Sequence, residues 1–156
     1  AIIEQDGKEL TMQQLLDHVL GFSRKIKHFL KQQQNIAIVL PTTTEGIIAN
    51  LATLILGKTI VNLDCAADSS FFLSAIKQAS IQTIISSQQF KTQLEKQELP
   101  ARIIYIEELN YRIYLSQWLP SWLIRLLFFK KTDVQATAAI LFSSGTEGEP
   151  KGVKLS

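Results

Sequence analysis

The residues best suited to chemistry lie between Ile140 and Val153. There the apolar run Ile140-Leu141-Phe142 opens into Ser143-Ser144-Gly145-Thr146-Glu147-Gly148-Glu149-Pro150-Lys151-Gly152. A strand running straight into hydroxyls, glycines and one lysine suits the cradling of phosphate. Gly145, Gly148 and Gly152 permit tight backbone conformations that turn successive N–H groups toward an anion, and Ser143, Ser144 and Thr146 add hydroxyl donors. Lys151 contributes a mobile positive charge for terminal phosphates. The pattern is not the Walker A loop, in which a glycine precedes the lysine and a serine or threonine follows it; here Pro150 precedes and Gly152 follows. A plain turn between two strands is the bland alternative, and the length and order of the motif weigh against it. Neither His18 nor His28 falls in the motif and no GxSxG elbow is present, so the serines are read as phosphate ligands and not as nucleophiles.

The elements that must position this loop can be read upstream. Alternation over residues 1–10 around Asp6-Gly7 predicts a short hairpin. Thr11 with Gln14 forms a capping box for a helix whose apolar face, from Leu15 to Leu30, predicts an end near Gln33. Residues 36–40 form a continuous apolar run stopped by Pro41, as expected of a strand buried on both faces. A buried helix is predicted over 45–56, ending at Gly57, and a strand over 60–63. Ser69 or Ser70 is expected to cap a helix running to about Ser80. A strand over 83–86, a polar helix over 88–97 and a strand over 102–106 follow. Such alternation predicts an α/β fold, a doubly wound and largely parallel sheet flanked by helices. Ligands collect at the carboxyl ends of such strands, which singles out the loops after Leu40, Leu63 and Phe142.

Residues 107–131 break the rhythm. Tyr111, Tyr114, Trp118, Trp122, Phe128 and Phe129 are punctuated by Arg112, Arg125, Lys130 and Lys131, and Pro120 is expected to split the region into two helices. The polar interruptions argue against a membrane span, which needs about 20 predominantly apolar residues. Packing against another part of the protein is the favoured reading, with an interfacial membrane helix as the rival.

Composition sets outer limits. A net charge of +2, with the basic residues scattered, removes nucleic acid as an expected partner. One cysteine, Cys65, cannot form an internal disulfide, and with two isolated histidines the chain offers no expected side-chain metal site. The first residues carry no secretory signal pattern, and the absence of an initiator methionine suggests that the sequence starts within a longer polypeptide.

Residues Ser143 to Gly152 resemble the phosphate loop of the acyl-adenylate-forming (AMP-binding) superfamily, which includes acyl-CoA synthetases, luciferases and peptide-synthetase adenylation domains. The resemblance extends upstream through the strand ending at Pro41, the helix ending at Gly57 and Asn62-Leu63-Asp64, and so covers nearly the whole chain. Within the superfamily the chain is most similar to bifunctional acyl-[acyl-carrier-protein] synthetase / 2-acylglycerophosphoethanolamine acyltransferases. Glu147 in place of the commoner threonine, Ser86-Ser87-Gln88-Gln89-Phe90 and Tyr105-Ile106-Glu107-Glu108-Leu109 carry that similarity.

The resemblance implies that residues 1–156 are the first part of a large N-terminal adenylate-forming domain, with an aromatic helical insert at about 107–131 and the later parts of the enzyme absent. It implies ATP and Mg²⁺ as cofactors, the metal ligands not being assignable here. Ser143, Ser144, Gly145, Thr146, Glu147, Gly148, Lys151 and Gly152 would form the nucleotide-binding loop, with no catalytic residue within these 156; Glu147 departs from the family pattern, and because a carboxylate beside phosphates repels them unless it points away or helps hold a metal, it is expected to point away. The implied partners are a fatty acid, acyl carrier protein or CoA, and lysophospholipid at a membrane surface. The implied location is the cytoplasmic side of the inner membrane, and the piece alone is expected to be inactive. The alternative is a noncatalytic docking module with a degenerate phosphate loop.

Overall fold

The computed structural model describes residues 2–3, 9–64, 66–111, 136–143 and 151–155. The chain opens with β1 (Ile2–Ile3) and β2 (Glu9–Leu10), paired antiparallel as the alternation predicts. The turn expected at Asp6-Gly7 lies outside the described residues. Helix α1 (Met12–Ile26) starts with a reciprocal cap: the Gln14 N–H donates to Thr11 Oγ1 at 3.2 Å, and the Thr11 N–H donates to Gln14 Oε1 at 2.9 Å. It ends at Ile26, seven residues before the predicted Gln33. Arg24 and Lys25 occupy its last turn, where cations favour the negative end of the helix dipole. Leu30 is nonetheless fully buried, and it reaches the core from the turns that follow the helix. Apolar spacing therefore overstated the helix, because a buried turn residue and a buried helix residue look alike in sequence.

Strand β3 (Asn35–Val39) leads through α2 (Thr44–Ile55) to β4 (Thr59–Asn62), and α3 (Ser69–Gln78) leads on to β5 (Thr83–Ser86). The cap of α3 is Asp68, not Ser69 or Ser70: its Oδ1 accepts the Phe71 N–H at 3.1 Å and the Ser70 hydroxyl at 3.2 Å. The helix predicted over 88–97 is instead a 3-10 turn, Gln88–Phe90, followed by the short α4 (Lys91–Glu95). Leu94 is its one buried residue, too little apolar surface to hold a longer helix against the sheet. Strand β6 (Arg102–Tyr105) is followed by a second 3-10 turn, Ile106–Glu108. Strands β7 (Ala139–Ser143) and β8 (Lys151–Leu155) complete a six-stranded sheet in the order β6-β5-β3-β4-β7-β8. Every neighbouring pair is parallel except β7 with β8.

Alternation along β3 divides the core in two. Ile36 and Ile38 face α1 and α2, packing with Val19, Phe22 and Ile48. Ala37 and Val39 face the opposite side, with Phe72, Ile76 and Leu94 from α3 and α4. The sheet is thus covered on both faces, as the predicted doubly wound class requires.

At the base of α2 the chain passes unusually close to itself. Pro41 O accepts the Thr43 N–H at 2.8 Å, and a Cβ placed on Gly46 would lie only 2.5 Å from that same oxygen. Alanine would gain about 1 kcal/mol of helix propensity but would press against a backbone atom held on the other side, an overpacking cost of about 1–3 kcal/mol. Gly46→Ala is expected to lower the urea midpoint with an unchanged slope; an unaltered or raised midpoint would show that the turn yields.

Candidate functional site

The end of β7 is built by its two neighbours. On one side it runs parallel to β4, with Val61 opposite Ile140 and Asn62 opposite Leu141. On the other, β8 returns antiparallel with Phe142 opposite Gly152 and Ser143 opposite Lys151. Ser143 and Lys151, which flank residues 144–150 in sequence, therefore stand directly across from each other at the mouth of the β7–β8 hairpin. That hairpin mouth lies on the same edge of the sheet as the carboxyl ends of β3, β4, β5 and β6, the edge where open α/β sheets bind ligands. Among the eight nucleotide-loop residues named from sequence, the backbone of Ser143 and all of Lys151 and Gly152 are placed. Ser144, Gly145, Thr146, Glu147 and Gly148 lie outside the described residues. Lys151 is exposed at the hairpin mouth.

Gly152 sits within the extended strand β8, and the structure supplies a reason for glycine that the sequence did not disclose. A Cβ there would meet the Phe142 ring at 3.1 Å and the Ile140 side chain at 3.2 Å. The residue makes room for Phe142, which in turn meets Phe71 of α3 edge to face with ring centroids 6.4 Å apart. The base of the hairpin is held by this aromatic contact to the helix layer.

A second feature of the same edge is an open crevice of about 710 Å³ whose walls include Leu40, Thr43, Ser87, Glu107 and Tyr111. It opens where the strand connections diverge, that after β3 leading toward β4 and that after β5 toward β6, which is the topological switch point of this sheet. Of the three loops singled out from sequence, the one after Leu40 contributes to the crevice; the other walls come from the ends of β5 and β6. Ser87, Glu107 and Tyr111 were missed as crevice residues because the adjacency of β3 and β5 is a property of strand order. Beneath the crevice the Ser86 hydroxyl donates to Val39 O at 2.9 Å, which satisfies a fully buried polar group.

Glu107 ties two walls together. Its carboxylate accepts a short hydrogen bond from the Ser87 hydroxyl and the Gln88 N–H at 3.0 Å. The segments around Ser87 and around Glu107, both used above for the finer resemblance, are thus physically coupled. Tyr111 packs edge to face on Phe22 of α1, centroids 5.0 Å apart, and lies 6.0 Å from His18. On β6, burial raises the pKa of the Tyr105 hydroxyl above its ordinary value, and the negative charges of Glu95 and Glu108 push the same way. Among the described residues no group of three or more His, Cys, Asp or Glu could hold a metal ion, and no helix is long and apolar enough to cross a membrane.

A protein-family model described as AMP-binding enzyme matches residues 1–156. The chain belongs to the AMP-binding enzyme family. Solved structures of adenylate-forming enzymes share its fold. The luciferase-like enzyme from the nonluminescent Zophobas morio mealworm matches with a TM-score of 0.77 at 21% identity, over 99% of this chain and 38% of that one. O-succinylbenzoate coenzyme A synthetase (MenE) from Bacillus subtilis, in complex with AMP, matches with a TM-score of 0.72 at 21% identity, over 100% and 38%. The N-terminal subdomain of Klebsiella oxytoca NpsA matches with a TM-score of 0.71 at 17% identity, over 97% and 36%. The chain thus spans well under half the length of these structures.

The Ser87–Glu107 link carries a thermodynamic consequence. Ser87→Ala and Glu107→Gln should each lower unfolding free energy by about 1 kcal/mol, the ordinary net worth of such a bond. The double variant should lose less than the sum, because the two side chains share one interaction. Urea titration of the four proteins measures the coupling, and strict additivity would mean that the bond contributes nothing.

Proposed function

We propose that this chain forms the pyrophosphate-gripping front part of an ATP-dependent ligase that activates a fatty acid as acyl-AMP and passes the acyl group to the thiol of acyl carrier protein or CoA. The observation that carries the reading is the β7–β8 pairing, which sets Lys151 opposite Ser143 at the carboxyl edge of a parallel sheet, the two residues that flank the hydroxyl- and glycine-rich sequence 144–150. The family match supports the nucleotide chemistry, and MenE in complex with AMP is an example of a structure with this fold that holds a nucleotide.

In this reading the carboxylate attacks the α-phosphorus, the bond to the β-phosphate bridging oxygen breaks, and pyrophosphate leaves with the electron pair. Charge grows on the departing end, and the hydroxyls and N–H groups of residues 143–148 together with the Lys151 ammonium are the groups we assign to stabilise it. The chain's contribution is positioning and electrostatic stabilisation without a covalent step. The fit of the Lys151 end rests on its exposure and its register opposite Ser143. Mg²⁺, when bound, offsets phosphate charge. Glu147 is assigned an orientation away from the phosphates, since a carboxylate beside them would repel.

The finer resemblance extends the proposal to a bifunctional parent that also returns acyl chains to lysophosphatidylethanolamine at the cytoplasmic face of the inner membrane. The acyltransferase chemistry would lie elsewhere in that protein. A noncatalytic docking role is the competing reading.

ATP–pyrophosphate exchange by the full-length parent, run across a panel of carboxylates, decides the matter. Fatty acids are expected to support exchange, and Lys151→Ala is expected to reduce it by about 10²–10³-fold, the usual effect of removing one preorganised donor. Exchange by Lys151→Ala at the unaltered rate would end the assignment of that lysine, and no exchange with any carboxylate would favour the docking role. The 156-residue chain alone is expected to give none.

A further inference from the structure

The loop after Leu63, singled out from sequence as a ligand loop, shows a different use in its hydrogen bonds. Asp64 Oδ1 accepts the Ala66 N–H at 2.9 Å, and Asp64 O accepts the Ala67 N–H at 3.1 Å. Asp68 Oδ1 then accepts the Phe71 N–H at 3.1 Å as α3 begins. The backbone of Phe71 is therefore fixed by the cap of its own helix, close to the end of β4, while its ring reaches toward β7.

Along β7, Ile140 and Phe142 pack into the α3/α4 layer, so Leu141 and its partner Val153 stand on the α1/α2 face. Phe142 is only partly buried. Its ring meets Phe71 across the layer and lies against the Cβ-free backbone of Gly152, the residue opposite it in the ladder. All five residues of β8 are exposed. An edge strand with so little cover depends on its ladder to β7 and on the side chains that press against it. Gly152 adjoins Lys151 in sequence, so a shift of the Phe142 ring is passed to the lysine one residue away.

We propose that Phe71 is a positioning residue for adenylate formation, which through the Phe142 ring and Gly152 holds Lys151 opposite Ser143 while the departing phosphates gain charge. The role rests on the assignment of Lys151 to those phosphates made above. Phe71 acts on the lysine through its neighbours and touches no reacting group. A donor stabilises growing charge best when it is already in place, and a misplacement of about 1 Å costs up to about 10²-fold in rate. An aromatic pair suits the task because edge-to-face contact has a preferred direction, which an aliphatic contact of similar area lacks. The charge in question grows only as the bond to pyrophosphate breaks, so loss of this support falls on kcat more than on KM.

Fatty-acid-dependent ATP–pyrophosphate exchange by the full-length parent tests this with Phe71→Ala, Phe71→Leu, Phe71→Tyr and Ile84→Val. The last is a mild truncation in the same core layer, on β5 and away from the hairpin. Far-UV circular dichroism identifies the folded variants, and Phe71→Leu carries the test if Phe71→Ala does not fold. Phe71→Ala is expected to lower kcat about 10-fold to 10²-fold while the KM for ATP changes less than about twofold. Phe71→Leu should move the same way, Phe71→Tyr should restore exchange by keeping the ring, and Ile84→Val should leave it unchanged. In a Lys151→Ala background Phe71→Ala should cost almost nothing more, because the group it positions is gone. Full exchange by both Phe71→Ala and Phe71→Leu overturns the proposal, as does an equal loss in Ile84→Val or a loss that multiplies that of Lys151→Ala in full. Exchange unaffected by Lys151→Ala would remove the assignment of the lysine itself, whereas a loss with Lys151→Ala and none with the Phe71 variants removes the positioning role alone.

Discussion

A parallel sheet has to be buried on both faces, because each of its strands is joined to the next by a crossover that must lie on one face or the other. In this chain that constraint decides nearly everything else. Ile36 and Ile38 of β3 commit one face to α1 and α2, and Ala37 and Val39 commit the other to α3 and α4. The hand of each crossover then decides the order of the strands, and the order decides where loops diverge. The crevice between the ends of β3, β5 and β6 exists because two connections leave in opposite directions, so it is a product of chain geometry before it is a product of any side chain.

Within the six-stranded sheet, the antiparallel return of β8 is the one departure from the parallel pattern among the described residues, and it sets the two flanks of the proposed nucleotide loop. A parallel partner for β7 would carry the chain away from the carboxyl edge. The antiparallel partner brings it back, so that Lys151 ends opposite Ser143. Space is the condition for this return. Gly152 admits the Phe142 ring, and Phe142 reaches Phe71 on α3, so a hairpin at the sheet edge is anchored to a buried layer.

Some side chains that look like ornaments of a subfamily have plain structural duties. The Glu107 carboxylate receives the Ser87 hydroxyl and the Gln88 N–H, which joins the turn after β5 to the turn after β6. Asp68 caps α3 one residue ahead of the serines that the sequence suggested. These contacts hold the loops of the carboxyl edge at fixed separations, and any binding surface formed there depends on them.

Local chemistry alone determined the strands β3 to β7 to within a residue or two, the capping box at Thr11 and Gln14 and the α/β class, because each is written in neighbouring residues through periodicity and hydroxyl caps. Leu30 misled the reading of α1, since burial leaves the same apolar mark whether a helix or a turn delivers it. The adjacency of β3 and β5, the coupling of Ser87 to Glu107, the face on which Leu141 and Val153 stand and the closeness of Gly46 to Pro41 were decided by tertiary structure. Each depends on which distant segments become neighbours, and a hydrogen bond or a van der Waals contact across the fold leaves no periodic trace in the residues that make it.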